Sequence, residues 1–235
     1  MGLTHRSTGS RTLGRHAPRR TDPGQKVIAL AGNPNVGKST VFNALTGMNQ
    51  HTGNWPGKTV TSAEGVCTYG GRQYRLVDLP GTYSLMAHSA EEEVARNFLC
   101  FSAPDAVCVV CDATCLERNL NLVLQTLEIT PRTVVCVNLM DEAQARGLQI
   151  DMHALQALLG VPVVGTCASD AEDIRRLRQT IRDVLDGFMT VRPHLPDGQK
   201  PADCVRYARQ LAAQTVTGPT TRWRRNIRLI RNIKP

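Results

Sequence analysis

Short apolar runs alternate along this chain with longer segments in which apolar residues recur every three or four positions. The runs are typical of buried strands, and the periodic segments are typical of amphipathic helices. The runs predict strands at residues 27–31, 64–69, 73–77, 106–111, 134–137 and 162–165. The periodic segments predict helices at 41–47, from Ser89 onward, and at 116–128, 151–159 and 174–185. Strands that alternate with helices in this way predict an α/β fold.

The linkers between these segments predict how the strands pair. Gly70 and Gly71 separate the strands at 64–69 and 73–77, and a two-glycine linker favours a β-hairpin. Helices separate the other strands, which favours parallel pairing with helices on both faces. We therefore predict a mostly parallel sheet with one antiparallel edge hairpin. Residues 48–58 are polar and punctuated by glycine, and they are predicted to form a loop.

The segment 32–40, GNPNVGKST, lies between the first predicted strand and the first predicted helix. In that setting a Walker A pattern predicts a phosphate-binding loop, whose N–H groups and helix N-terminus face the phosphates. Lys38 is expected to be exposed until it meets the β- and γ-phosphates, and the Ser39 hydroxyl is expected to bind Mg²⁺. The predicted nucleotide-binding residues here are Gly32, Asn33, Pro34, Asn35, Val36, Gly37, Lys38, Ser39 and Thr40.

A second polar segment, DLPG, follows the strand at 73–77. Its Asp78 can reach Mg²⁺ through water, and the Gly81 N–H can contact the γ-phosphate, although DxPG alone is equally compatible with a plain turn. A nucleotide switch also needs a loop hydroxyl that meets Mg²⁺ and the γ-phosphate. Thr59 is predicted to supply it, with Thr61 as the alternative, which is also suited to begin a strand. The predicted catalytic residues are Lys38, Thr59 and Gly81, and the predicted Mg²⁺ ligands are Ser39, Thr59 and Asp78.

Two further segments predict the choice of base. Asp141, in the sequence NLMD, can accept hydrogen bonds from guanine N1–H and its 2-amino group, whereas adenine would leave this carboxylate unpaired. Asn138 completes the NxxD pattern, which is weak alone because Asn and Asp often begin helices. After the last strand, a backbone N–H at Cys167 or Ala168 is expected to contact guanine O6. The order of all these motifs is that of a P-loop GTPase.

The excess of positive charge lies at the two ends of the chain, and an acidic middle segment reduces the net charge to +8. Residues 1–26 carry six basic side chains and one acid, and residues 204–235 carry eight basic side chains and no acid. The segment between them is acidic, which argues against nucleic acid as a partner. Residues 1–25 are predicted to be a disordered basic tail. The basic end could make a weak contact with an anionic membrane, but we favour a solvated segment.

Eight cysteines are scattered through the chain, several of them within apolar runs. This usage favours buried, reduced thiols in a cytoplasmic protein, and no secretory signal or membrane-spanning run is visible. Cys108 and Cys111 lie three apart on a predicted strand, so they should face opposite sides and hold no common metal ion.

The segments GNPNVGKSTVFNALTG, TGNWPGKTVT, VDLPGTYSL with SAEEEVAR, VCDATCLERNLNL and VNLMDEA together resemble the cytosolic G domain of the ferrous iron transport protein B family. That family couples a GTPase to a membrane permease for Fe²⁺, so the resemblance implies the GTP- and GDP-binding, Mg²⁺-dependent switch of an iron-uptake system. On the family pattern, Asn35 is a ligand for an activating K⁺. Trp55 lies in the loop that closes over this ion. A Trp is more often a packed aromatic, but the glycine-rich loop around Trp55 predicts an exposed, mobile lid. Thr82 stands where other GTPases carry a water-orienting Gln, so hydrolysis is expected to be slow.

The chain departs from the family pattern in three places. Leu139 replaces the Lys of the general NKxD motif, as this family permits, and Cys167 stands where a Ser is usual. The resemblance covers residues 26–188, which are predicted to be the G domain, and only residues 189–235 follow. These are predicted to form a short, basic, truncated helical appendage, with a helix at 202–216. The alternative to an iron-uptake switch is a stand-alone guanine-nucleotide-dependent binding module, such as an assembly or RNA-associated GTPase.

Overall fold

The strands and helices follow the order that the hydrophobic pattern predicts. The computed structural model describes residues 24–48, 50–55, 58–189, 191–195 and 201–219, so the tail predicted to be disordered lies outside it apart from residues 24 and 25. The strands are β1 (Lys26–Gly32), β2 (Gln50–Asn54), β3 (Thr61–Tyr69), β4 (Arg72–Asp78), β5 (Ala106–Asp112), β6 (Thr133–Asn138), β7 (Gln149–Ile150), β8 (Val163–Gly165) and β9 (Val216–Thr217). The α-helices are α1 (Lys38–Thr46), α2 (Ala90–Asn97), α3 (Leu116–Ile129), α4 (Met140–Ala145), α5 (Met152–Leu159), α6 (Ala171–Leu185) and α7 (Pro201–Thr215). A π-helical turn (Phe98–Ser102) follows α2, and a 3₁₀ turn (Ala113–Cys115) precedes α3.

Within the described residues, seven strands form one sheet in the order β2-β3-β4-β1-β5-β6-β8. β1 lies between β4 and β5 and is parallel to both, and β6 and β8 continue the parallel arrangement. β3 is antiparallel to β4 across Gly70 and Gly71, whose positive φ angles suit the tight turn. The predicted α/β class, with a mostly parallel sheet and an antiparallel hairpin edge, is confirmed.

The edge of the sheet is one strand wider than predicted. Residues 48–58 were expected to be a loop, but β2 pairs antiparallel with β3, from Gln50 opposite Gly65 to Asn54 opposite Thr61. Residues 51–54 of β2 are all exposed, so neither face of this strand requires apolar residues. Because strand prediction depends on apolar alternation, an edge strand held by backbone hydrogen bonds gives no such signal.

The sheet separates two apolar cores, one on each face. Side chains alternate along β1, so Ala29 belongs to the core that α3 and α5 cover, whereas Leu30 belongs to the core that α1 and α6 cover. Cys108 and Cys111 divide in the same way, and the prediction that they face opposite sides is confirmed. Among the residues that the structure describes, no group of three His, Cys, Asp or Glu is placed to hold a metal ion.

Helix α7 packs against the rest of the domain through an apolar stripe. Cys204, Ala208 and Leu211 are buried in the core that α3 and α5 cover, and Arg209 Nε lies 3.1 Å from Glu117 Oε1 of α3. The helix predicted at 202–216 is therefore confirmed. The β9 strand that follows pairs with β7, a two-residue ladder too short to leave a sequence pattern. No helix in the described ranges is both long and apolar enough to cross a bilayer.

Candidate nucleotide-binding site

The predicted site residues converge on one edge of the sheet. β1 ends at Gly32, β4 at Asp78, β6 at Asn138 and β8 at Gly165. These strands are mutually parallel, so their carboxyl ends meet at the same edge, where open α/β sheets bind their ligands. The structure therefore brings together the predicted phosphate-binding loop, DLPG, the NxxD segment and residues 166–168.

The phosphate-binding loop depends on glycine at two positions. Gly37 has a φ of 78° and immediately precedes α1, and a Cβ built on it would lie 2.4 Å from Asn138 Nδ2. A Cβ on Gly32 would lie 2.7 Å from the Val110 carbonyl oxygen. Any larger residue would push the loop away from its neighbours, so the narrow backbone path expected of a phosphate cradle is present.

Lys38 forms an ion pair with Asp78, its Nζ donating to Asp78 Oδ1. Only 11% of the Lys38 side chain and 16% of the Asp78 side chain are exposed, so the prediction that Lys38 is exposed is wrong. Burial raises the pKa of the Asp78 carboxyl, and the charge and hydrogen bond of Lys38 oppose that rise. The carboxylate thus holds the lysine beside the loop, as a partner that a phosphate can replace.

The chain after Asp78 runs alongside the phosphate-binding loop. The Thr82 N–H donates to the Gly32 carbonyl at 3.1 Å, and Thr82 is buried. A Cβ on Gly81 would lie 3.2 Å from Pro34 Cα, so glycine permits this close approach. The Gly81 N–H makes no hydrogen bond to the described residues, which leaves it available to a ligand.

Asn138 connects the phosphate-binding loop to the base-reading segments. Its Nδ2 donates to the Val36 carbonyl at 3.0 Å, and its Oδ1 accepts from the Thr166 hydroxyl at 3.2 Å. Because that hydroxyl is already donating, the Cys136 thiol, 3.2 Å from it, must donate to Thr166 in turn. All three side chains are buried. Sequence reasoning missed Cys136 and Thr166, because neither residue belongs to a recognised motif. The only available signal was that Thr166 directly precedes Cys167.

The three groups predicted to contact the base differ in whether another residue already binds them. Asp141 is exposed in the first turn of α4, which begins after Leu139 in a left-handed conformation with a φ of 62°. The Cys167 N–H is engaged, since it donates to Asp173 Oδ2 at 2.8 Å. The Ala168 N–H makes no such bond to any described residue, so of the two predicted donors it is the one left for a ligand.

The loop around Trp55 differs most from expectation. Trp55 was predicted to be an exposed lid, but only 5% of it is exposed, and its ring meets Phe98 edge-on with centroids 5.5 Å apart. The backbone N–H of Trp55 also donates to the Val60 carbonyl at 2.8 Å. Burial of a large aromatic ring outweighs the flexibility that neighbouring glycines provide. Thr59 remains exposed in this loop, whereas Thr61 begins β3.

The oxygen atoms at this edge fit a hard divalent cation. Ser39 is exposed in the first turn of α1, Asp78 contributes a carboxylate, and Thr59 contributes an exposed hydroxyl, although no hydrogen bond links it to the phosphate-binding loop within the described residues. Hydroxyl and carboxylate oxygens are ligands that Mg²⁺ accepts. Asn35 is exposed in the phosphate-binding loop and has a left-handed backbone with a φ of 65°.

Comparison with known proteins identifies the family. Residues 26–181 match the family model described as ferrous iron transport protein B. The Fe(2+) transporter FeoB of Escherichia coli (strain K12) is 42% identical over 158 residues, which are 66% of this chain and 20% of that protein. The chain spans about a fifth of the length of the curated relatives it matches.

Two solved structures extend the match to the fold. The G domain of the T. maritima FeoB iron transporter has a TM-score of 0.65 and 42% identity, covering 68% of this chain and 98% of that one. The cytosolic domain of the same transporter in its GMPPNP form has a TM-score of 0.76 and 29% identity, covering 82% of this chain and all of that one. The chain therefore belongs to the ferrous iron transport protein B family and carries its P-loop GTPase G domain.

Proposed function

We propose that this domain binds GTP and hydrolyses it to GDP and phosphate as the switch of a ferrous iron uptake system. The observation that carries the proposal is the Asn138 bridge, which joins the guanine-reading end of the site to the phosphate-binding loop at Val36. A site that only bound phosphate would not need this connection. The T. maritima cytosolic domain, which was solved in a GMPPNP form, supports a nucleotide as the ligand.

In the proposed site, Lys38 exchanges partners when nucleotide binds. Its ammonium leaves the Asp78 carboxylate for the β- and γ-phosphates, which carry more negative charge. Asp78 is then free to join Ser39 and Thr59 as a Mg²⁺ ligand. When bound, Mg²⁺ neutralises charge on the β- and γ-phosphates. The remaining residues of the loop, 32–40, present backbone N–H groups to the phosphates.

Hydrolysis requires a water oxygen to bond to the γ-phosphorus while the bond from that phosphorus to the β–γ bridging oxygen breaks. We propose that the Gly81 N–H contacts the γ-phosphate, and its lack of a hydrogen-bond partner among the described residues supports this role. Thr82 stands in the next position, buried and held by its N–H to Gly32, so its side chain is poorly placed to orient the water. We therefore propose a slow intrinsic rate, stimulated by K⁺ at Asn35.

Selection of guanine is assigned to Asp141, Cys167 and Ala168. Asp141 is exposed in the first turn of α4 and accepts from guanine N1–H and its 2-amino group. The Ala168 N–H donates to O6, while Cys167, whose N–H is bound to Asp173, contributes the adjoining backbone. Adenine would leave the Asp141 carboxylate without donors, which is the physical basis of discrimination.

We propose the same cytoplasmic setting as for the cytosolic domain of the T. maritima FeoB transporter. In this arrangement residues 26–188 are the G domain and residues 189–235 a short helical appendage. A membrane permease for Fe²⁺ is the partner. The acidic charge of the segment between the basic ends argues against nucleic acid. The weak anionic-membrane contact that we considered for the basic end, while favouring a solvated segment, concerns residues 222–234, which lie outside the described part of the chain.

The test is nucleotide binding and turnover in two matched lysine variants. Lys38→Ala should abolish binding of a fluorescent GTP analogue and release of phosphate. Lys26→Ala is the control, because Lys26 begins β1 at the opposite edge and pairs there with Asp105 at 3.1 Å. It should bind and hydrolyse GTP like the wild type. Retained micromolar binding in Lys38→Ala would contradict the proposed site.

A further inference from the structure

An apolar groove lies on the face of the domain formed by α3 and α7. It encloses about 550 Å³, and we name it the α3–α7 groove. Tyr83, Ala212, Ala213 and Pro219 are among the residues that line it. Its volume and mostly apolar lining are typical of a surface that receives a ligand or a chain segment.

The wall of the α3–α7 groove nearest the nucleotide site is built around Tyr83. The Arg118 guanidinium lies 4.0 Å from the centre of the Tyr83 ring, and Asn121 Nδ2 donates to the Tyr83 carbonyl at 3.3 Å. Asn121 Oδ1 is buried without a hydrogen-bond partner among the described residues. Tyr83 is 41% exposed, and Val205, which also lines the groove, is 48% exposed. The groove therefore offers exposed, mostly apolar surface.

We propose that the α3–α7 groove is the docking site for the chain's own residues 222–233. These residues lie outside the described part of the chain, and their sequence is RWRRNIRLIRNI. Trp223, Ile227 and Ile230 are spaced i, i+4 and i+7, which places them on one face of a helix, while five arginines lie elsewhere. The three apolar side chains fill the groove, and the arginines stay in solvent. Leu229 lies off this face.

Two features of the chain favour this occupant over a separate molecule. Pro219 lines the groove and the segment follows it directly, so Trp223 is only four residues away and within about 14 Å of it along an extended chain. A tethered segment also has an effective concentration near the millimolar range, which a second copy or a free partner rarely reaches. An isolated helix this short is marginal in water, so docking supplies the burial that orders it.

The docked segment contacts the part of the chain that the nucleotide site uses. Tyr83 follows Thr82, whose N–H donates to the Gly32 carbonyl of the phosphate-binding loop. An occupant that packs on Tyr83 therefore restricts the movement of the neighbouring Thr82 and so stabilises this hydrogen bond.

Tryptic digestion of the full chain tests the proposal, because residues 222–231 contain five arginines. Cleavage there, followed by mass spectrometry, should be at least about tenfold slower than in a free peptide of residues 220–235, since a docked segment is cut only when it opens. Ala213→Arg should restore fast cleavage by obstructing the groove. Its neighbour Gln214 is exposed and does not line the groove, so Gln214→Arg should keep the protection.

A second pair of variants tests the segment itself. Ile227→Asp with Ile230→Asp should remove protection, whereas Leu229→Asp should retain it. Cleavage of the wild type as fast as the free peptide would overturn the proposal. Protection that grows with protein concentration would assign the groove to a second copy, and protection seen only with acidic vesicles would assign the segment to a membrane. Either of these results would also overturn docking within one chain.

Discussion

Asn138 Nδ2 donates a hydrogen bond of 3.0 Å to the carbonyl oxygen of Val36, across 102 positions of the chain. Both residues are buried, and the bond is made inside the loop that receives the phosphates. The amide therefore has a structural role at one end of the site and belongs to a base-reading motif at the other. The two ends cannot move independently while this bond exists.

The first prediction follows from this bond. Asn138→Ala should destabilise the domain by about 1–3 kcal/mol, because the buried Val36 carbonyl and Thr166 hydroxyl both lose a partner. Affinity for GTP and GDP should fall together, since the loop that binds their common phosphates is released. Urea unfolding and fluorescent-nucleotide titration measure the two effects. Asn54→Ala, at an exposed position in β2, is the control and should change neither. Unchanged nucleotide affinity in Asn138→Ala would show that the hydrogen bond from Asn138 to Val36 does not contribute to nucleotide binding.

The second prediction concerns the base. Asp141→Asn should weaken GTP binding by about 1–3 kcal/mol, because the amide cannot accept from both guanine donors as a carboxylate does. Xanthosine triphosphate should bind the variant better than GTP, since its 2-oxo group can accept from the new amide. Competition titrations with GTP, ATP and xanthosine triphosphate measure the order of preference. If ATP competed equally with GTP in the wild type, the assignment of guanine would be wrong.

The parallel part of the sheet could be predicted because its residues are buried on both faces. β5 and β6 are short runs of Val and Cys, and this pattern located them to within one or two residues. The proximity of the site's motifs could be predicted because each of them lies where a strand ends. Gly32, Asp78 and Asn138 are the last residues of β1, β4 and β6, so the order of strands fixes their proximity.

The remaining features could not be predicted because they depend on contacts between distant residues. Phe98 is 43 residues from Trp55, and nothing near Trp55 in the sequence indicates that this ring lies within reach. Lys38 is likewise held by Asp78, 40 residues away, so its burial is a tertiary property. β2 is held by its backbone alone, and backbone pairing leaves no trace in the pattern of side chains.

The third prediction concerns a thiol and its dependence on pH. Burial of the sulfur, together with a hydrogen bond from Cys115 Sγ to Asp112 Oδ2 at 3.2 Å, raises the Cys115 pKa to about 11. The thiol form thus stabilises the fold fully below pH 9, its ordinary pKa, and this contribution is lost as the pH rises toward 11. Asp112→Asn should lower that pKa by removing the negative charge, while the new amide oxygen can still accept from the Thr114 N–H.

Alkylation rates at pH 8, followed by mass spectrometry, measure this change. The reactive species is the thiolate, so Cys115 should react slowly in the wild type and several-fold faster in Asp112→Asn. Cys100 is also exposed and serves as an internal reference whose rate should not change. Equal Cys115 rates in the two proteins would show that Asp112 does not hold the thiol in its protonated form.

The last prediction concerns a monovalent cation. Asn35 is exposed in the phosphate-binding loop with a left-handed backbone. The family resemblance implies that Thr82 stands where other GTPases carry the water-orienting Gln. A site without that Gln must stabilise transition-state charge by other means, and a cation beside the phosphates is one of them. GTP hydrolysis should therefore be faster in K⁺ than in Na⁺ at equal ionic strength. Rb⁺, close to K⁺ in size, should substitute for it.

Asn35→Ala decides which residue is responsible. If Asn35 supplies an oxygen to the cation, the variant should hydrolyse GTP at the same slow rate in K⁺, Rb⁺ and Na⁺, while its affinity for GDP changes little. The reason is that a ground-state diphosphate lacks the charge that the cation neutralises during transfer of the γ-phosphoryl group. Phosphate release at saturating GTP measures the rates. A K⁺ preference that persists in Asn35→Ala would place the cation on other oxygens, and equal wild-type rates in K⁺ and Na⁺ would leave Asn35 as a turn residue.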